Sequence, residues 1–127
     1  MALSENEERI AHGIVASAFA VHSALGPGLL EGIYETCFCH ELRKQGLLYK
    51  RQVSVPVVYD GITFDEGLRL DVLVEDTVIC ELKAAERMSP LFLSQLLTQL
   101  KLTGKRLGFL INFNVPVIKD GLKRVVL

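Results

Sequence analysis

Apolar residues recur first at helical spacing, then at alternate positions, then at helical spacing again. Ser4 followed by Glu7 forms a capping box, and Ile10, Ile14, Ala18, Val21 and Leu25 then share one helical face. A helix from about Glu5 to Ala24 is expected. Gly26-Pro27-Gly28 breaks it. A second helix is expected from Leu30 to Gln45, with Ile33, Tyr34, Cys37, Phe38 and Leu42 as its apolar side. Arg43 and Lys44 complement its dipole, and Gly46 is placed as its C-terminal cap.

From Gln52 the period becomes two. Val53, Val55 and Val57 alternate with polar residues or Pro up to Tyr59; Asp60-Gly61 is a hairpin turn; Ile62 to Phe64 returns. Pro56 implies an edge strand or a bulge. Leu68 to Ala84 continues the meander as a hairpin, two β-branched apolar runs on either side of Glu75-Asp76. Ser89-Pro90 then opens a third helix that closes at Gly104, with Phe92, Leu93, Leu96, Leu97 and Leu100 as its core stripe and Gln95 and Gln99 one turn apart on its flank. Leu107 to Ile111 reads as a buried strand, Val115 to Ile118 as a short extended or turn segment, and Lys123 to Leu127 as a last strand. Helices before and after a mixed sheet, the third crossing over it, predict one α/β sandwich-like domain over residues 1–127.

Composition supports a single packed domain and narrows its partners. Half of the 127 residues are hydrophobic and the formal net charge is −1, which excludes a disordered chain. Near-neutrality also argues against strong nonspecific binding to nucleic acid, which rests on clustered Lys and Arg. Any such role needs a local basic patch, and Lys50-Arg51, Lys105-Arg106 and Lys123-Arg124 are the candidates. Cys37, Cys39 and Cys80 have neither disulfide nor zinc spacing, so reduced thiols and a cytoplasmic setting are expected. No stretch is apolar enough to span a bilayer, and the N-terminus is acidic where a signal peptide is basic. His12 and His22, ten apart on the first helix, do not share a face and do not form a metal pair.

The candidate chemistry lies in the Leu68 to Ala84 hairpin, where Asp71, Glu81 and Lys83 interrupt runs that otherwise read as buried. Buried charges require partners. Glu81 and Lys83 share a strand face because side chains alternate. A two-residue turn at Glu75-Asp76 sets Asp71 opposite Cys80; a turn one residue longer sets it opposite Glu81. The longer or bulged turn is expected, because it gathers two carboxylates and an ammonium on one surface. Such a set suits a hard cation such as Mg²⁺, held by carboxylates together with a substrate phosphate, and hence metal-assisted phosphodiester hydrolysis. The plainer reading is a solvated ion pair of Glu81 with Lys83 on an edge strand and a turn-proximal Asp71 held by backbone donors.

Several segments together carry a resemblance. Gly28-Leu-Leu-Glu31-Gly-Ile-Tyr34, Arg69-Leu-Asp71, Glu81-Leu-Lys83, Gln95-Leu-Leu, and Leu102-Thr-Gly-Lys-Arg106 through Ile111-Asn-Phe-Asn-Val-Pro116 closely resemble the GxxExxY protein family, a mainly bacterial group within the PD-(D/E)xK nuclease superfamily. The resemblance implies an α+β, restriction-endonuclease-like core: helix, antiparallel β-meander, crossover helix and further strand, here with an extra N-terminal helix. It implies Asp71 and Glu81 as ligands of Mg²⁺ or Mn²⁺, the Leu82 carbonyl as a further ligand, and Lys83 as the residue that positions the attacking water. Glu31 matches an acidic residue contributed by the first core helix, Gln95 a polar residue near the site, and Tyr34 a packing or site-lining position. The implied function is a Mg-dependent nuclease acting on DNA. The alternative is a non-catalytic module that keeps the fold to bind nucleic acid or to oligomerise, and a homodimer would enlarge either binding surface.

Overall fold

The computed structural model describes residues 2–127. Helix α1 (Glu5–Leu25) begins at the expected capping box: the Ser4 hydroxyl accepts the Glu7 N–H at 3.0 Å and Glu7 Oε1 accepts the Ser4 N–H at 2.8 Å. Helix α2 (Glu31–Lys44) follows a corner in which Gly26 and Gly28 have φ of 67° and 104°, a region that disfavours any side chain. Tyr34 locks that corner. Its hydroxyl donates to the Gly26 carbonyl at 2.6 Å and accepts the Leu29 N–H at 3.1 Å, while its buried ring stacks on Phe113 at 4.7 Å.

Five strands form one sheet in the order β1 (Tyr49–Tyr59), β2 (Ile62–Val74), β3 (Val78–Lys83), β4 (Leu107–Asn112), β5 (Leu122–Val126). Neighbours are antiparallel except β3 and β4. A parallel pair needs a crossover, and helix α3 (Pro90–Thr103) supplies it, capped by Ser89 and closed by Gly104 at φ 71°. A short helix, α4 (Ile118–Gly121), precedes β5.

The sheet separates two cores. Ile10, Ile14, Phe38 and Leu42 of α1 and α2 pack with Val72, Val74, Cys80, Leu82 and Phe109 on one face; Leu96 and Leu100 of α3 pack with Leu70, Leu73, Ile79 and Leu110 on the other. This is the expected mixed α+β sandwich of restriction-endonuclease-like form. Among the described residues no helix is long and apolar enough to cross a membrane. The cysteines are free; burial pushes the Cys39 thiol up to about 11 and that of Cys80 well above its usual range.

Several expectations need correction. Ile62–Val74 is one strand rather than two, because the irregularity falls on β1, where the register shifts between Val55 and Val57 around Pro56. Gly67 on β2 leaves the space that Val57 fills. β1, an edge strand, starts at Tyr49 rather than Gln52. Of the extended or turn segment expected at Val115 to Ile118, residues 115–117 take the turn, and only Ile118 departs from it by opening α4. Leu97 is exposed, since α3 meets the sheet along a narrow arc through Leu96 and Leu100 and turns its far side to solvent.

Candidate active site

The β2–β3 turn has three residues, Glu75, Asp76 and Thr77, between the paired Val74 and Val78. Glu75 and Asp76 have φ of 53° and 52°, and the Thr77 N–H donates to the Val74 carbonyl at 2.9 Å. The last ladder pair is Val72 with Cys80, so the next step sets Asp71 opposite Glu81. There side chains take over from backbone carbonyls. The Asp71 N–H donates to Glu81 Oε1 at 3.2 Å, and the Leu82 N–H donates to Asp71 Oδ2 at 2.9 Å.

Across β2 the β1 ladder is interrupted at the same level, at Gln52, whose φ is 50°. A left-handed residue other than glycine costs about 1–3 kcal/mol and persists only where neighbours hold it. Glu35 of α2 provides that hold: Oε1 accepts from Gln52 Nε2 at 2.8 Å and Oε2 from Arg51 Nε at 2.9 Å. The sheet therefore opens around Asp71, and the opening turns two carboxylates toward each other.

Glu81 is buried, and its carboxyl is raised to about 8, first by loss of solvent and then by the charge of Asp71; a hydrogen bond from the Gln99 side chain acts the other way. Among the described residues no ion pair reaches Asp71 or Glu81. Glu31, in the first turn of α2, is raised by partial burial and by Asp71, while Lys83 pulls it down. Asp71 thus acts on Glu31 of α2 and on Glu81 of β3, and Lys83 of β3 acts on Glu31. The Lys83 ammonium lies 4.4 Å from the centre of the Phe92 ring and forms no ion pair with an acid among the described residues.

The end of β3 is fixed from β4. The Lys83 carbonyl accepts the Phe113 N–H at 3.0 Å, and buried Asn112 clamps Ala85 with bonds of 3.1 and 2.9 Å. Asn112 was not an expected site residue; its only sequence signal is an amide ending an apolar strand. Gln99 was also missed. A cleft of about 430 Å³ between the sheet and α3 holds Glu81, Gln95 and Gln99, and it is Gln99, one turn beyond the expected Gln95, whose side chain draws the Glu81 carboxyl back down. The i,i+4 spacing of the two glutamines was the available clue. Leu82 puts its side chain in the core and reaches the site only through its backbone.

Among the described residues no three His, Cys, Asp or Glu side chains are grouped to hold a metal ion by themselves. That does not fit a structural zinc site. The donors present are oxygens: two facing carboxylates, each with one oxygen bonded to a backbone N–H, and the buried Gln99 Oε1, which has no hydrogen-bond partner. Such a set fits Mg²⁺ or Mn²⁺, which bind one or two carboxylates and take their remaining ligands from water and phosphate.

Four residues of the basic pairs expected to meet phosphate are engaged by acids of the fold, while Lys50 and Lys123 form no ion pair among the described residues. Arg51 is bound to Glu35, Lys105 to Asp76, Arg106 to Glu7 and Arg124 to Glu8. Each satisfies an acid of the fold.

No curated protein and no solved structure matches the chain. A family model described as PD-(D/E)XK nuclease superfamily matches residues 8–125, a span that runs from α1 through the Asp71–Lys83 hairpin to β5. The chain therefore belongs to the PD-(D/E)XK nuclease superfamily.

Proposed function

We propose that this chain is a metal-dependent nuclease that hydrolyses phosphodiester bonds in DNA, and that within its superfamily it is a GxxExxY protein working in the cytoplasm. Nucleases of the superfamily generally use divalent metal ions. The observation that carries the reading is the Asp71–Glu81 pair, two like charges brought together where the sheet opens, with no cation paired to them among the described residues. A carboxylate pair so arranged favours a divalent cation.

Asp71 and Glu81, with the Leu82 carbonyl, would hold Mg²⁺ or Mn²⁺. The cation, when bound, supplies Lewis acidity toward water and a phosphoryl oxygen. Lys83 orients the attacking water and donates to a phosphate oxygen, its ammonium forming no ion pair with an acid among the described residues. Glu31 takes up a proton beside Asp71, which its raised carboxyl favours. Gln95 and Gln99 line the approach along α3.

The test is cleavage of DNA and RNA with Mg²⁺, Mn²⁺ or EDTA. Cleavage of DNA that needs the metal and is lost in Asp71→Ala, with an unchanged circular dichroism spectrum, is expected; full activity in that variant rules the assignment out. A self-associating module is the second reading, favoured by the β1–β2 arm, where exposed Tyr59, Ile62 and Phe64 share a face of the hairpin. It entails a dimer by sedimentation and no dependence on Mg²⁺ or on Asp71.

A further inference from the structure

We propose that Arg69 is the phosphate-binding residue of this site, holding the phosphate next to the one that is cut. The inference rests on the nuclease reading and adds the residue that seats the substrate. Arg69 stands on β2 two residues before Asp71, paired with Ser54 on β1. It lines the cleft against α3 together with Glu81, Ser94, Gln95 and Thr98, and it also lines a second cleft, of about 370 Å³, with Asp71 and Gln52. Arg69 therefore lines both of the clefts that border the carboxylate pair, one on the Glu81 side and one on the Asp71 side.

Arg69 is one of several cations without an acid partner among the described residues, and of these it is the one that lines both clefts. Arg9, Lys44, Arg51, Lys105, Arg106 and Arg124 are each bound to an acid of the fold. Arg69 makes no hydrogen bond or ion pair among the described residues, even though Glu66 shares the second cleft. It is exposed. An unpaired arginine beside two carboxylates, on a rigid strand, offers a planar fork of donors that matches phosphate. Two strand residues rise about 6.6 Å, the scale of one nucleotide step, so a phosphate on Arg69 leaves its neighbour at Asp71. Ser94, Gln95 and Thr98 on the opposing wall are neutral hydrogen-bonding groups suited to sugar and phosphate oxygens.

Binding of fluorescein-labelled duplex and single-stranded DNA oligonucleotides, read by anisotropy in an Asp71→Asn background at several salt concentrations, tests the assignment alongside cleavage kinetics in the natural background. Arg69→Ala is expected to weaken binding about tenfold and to lower the salt slope by about one, with KM raised more than kcat is lowered. Arg69→Lys is expected to restore the slope but only part of the affinity, since the charge returns without the fork. Binding and KM unchanged in Arg69→Ala would overturn the role of Arg69 while leaving the nuclease reading in place. A natural protein that neither binds nor cleaves either DNA would overturn both.

Discussion

Asp71 and Glu81 face each other because one carboxylate accepts the other residue's N–H, and that closeness fixes how the site responds to pH. Glu81 holds its proton more tightly in the folded chain than in the unfolded one, where the ordinary value is 4.5. A raised folded value contributes stability that is complete below about pH 4.5 and is lost as pH rises through about 8. The metal-free melting temperature should therefore fall across that window in the natural protein and change less in Glu81→Gln; parallel curves for the two would contradict the buried, proton-holding Glu81. Mg²⁺ should oppose the fall at high pH, since the cation replaces the proton. At this scale the sequence was informative where charge broke an apolar run, which exposed Asp71, Glu81 and Lys83. Gln99 carried no such mark. Its place beside Glu81 in the cleft depends on how α3 is seated over the sheet, and spacing along a helix does not specify that.

Turns and corners place these residues. The three-residue turn sets the register of β2 on β3, and the one-residue difference that sequence reasoning weighed decides whether Asp71 meets Cys80 or Glu81. The Gly26–Leu29 corner does the same for Glu31. Tyr34 holds the corner with two hydrogen bonds from a buried ring, to Gly26 and Leu29 on either side of left-handed Gly28, and so fixes the approach to the helix that opens at Glu31. Tyr34→Phe is expected to cost about 1–3 kcal/mol in denaturant unfolding, the penalty of leaving the Leu29 N–H and Gly26 carbonyl without that partner. Cleavage should fall as well, through Glu31; wild-type stability and activity would show that the corner stands without the hydroxyl. Helix limits were legible from their caps, Ser4, Ser89 and Gly104. The unbroken β2 was not, because Gly67 reads as a breaker and in the fold only makes room for Val57.

For the whole molecule, the 14 Lys and Arg nearly balance the 15 Asp and Glu, and part of that balance is drawn into ion pairs across the chain. Glu7, Glu8, Glu35 and Asp76 engage four residues of the basic pairs that sequence alone suggested for phosphate, a cross-chain arrangement that adjacent residues cannot reveal. Lys83 and Arg69 are left beside the open end of the sheet, and the site is built where α2, β2, β3 and α3 meet. Superfamily and α+β architecture were both visible in the order of elements and motifs, because each element carries its own period and cap. The central claim is that the Asp71–Glu81 pair exists to hold a divalent cation. Calorimetric titration of Mg²⁺ and Mn²⁺ into the natural protein, Asp71→Ala and Glu81→Ala addresses it without any assumption about substrate. Binding by the natural protein that disappears in both variants is the expected result; equal binding in all three would contradict it.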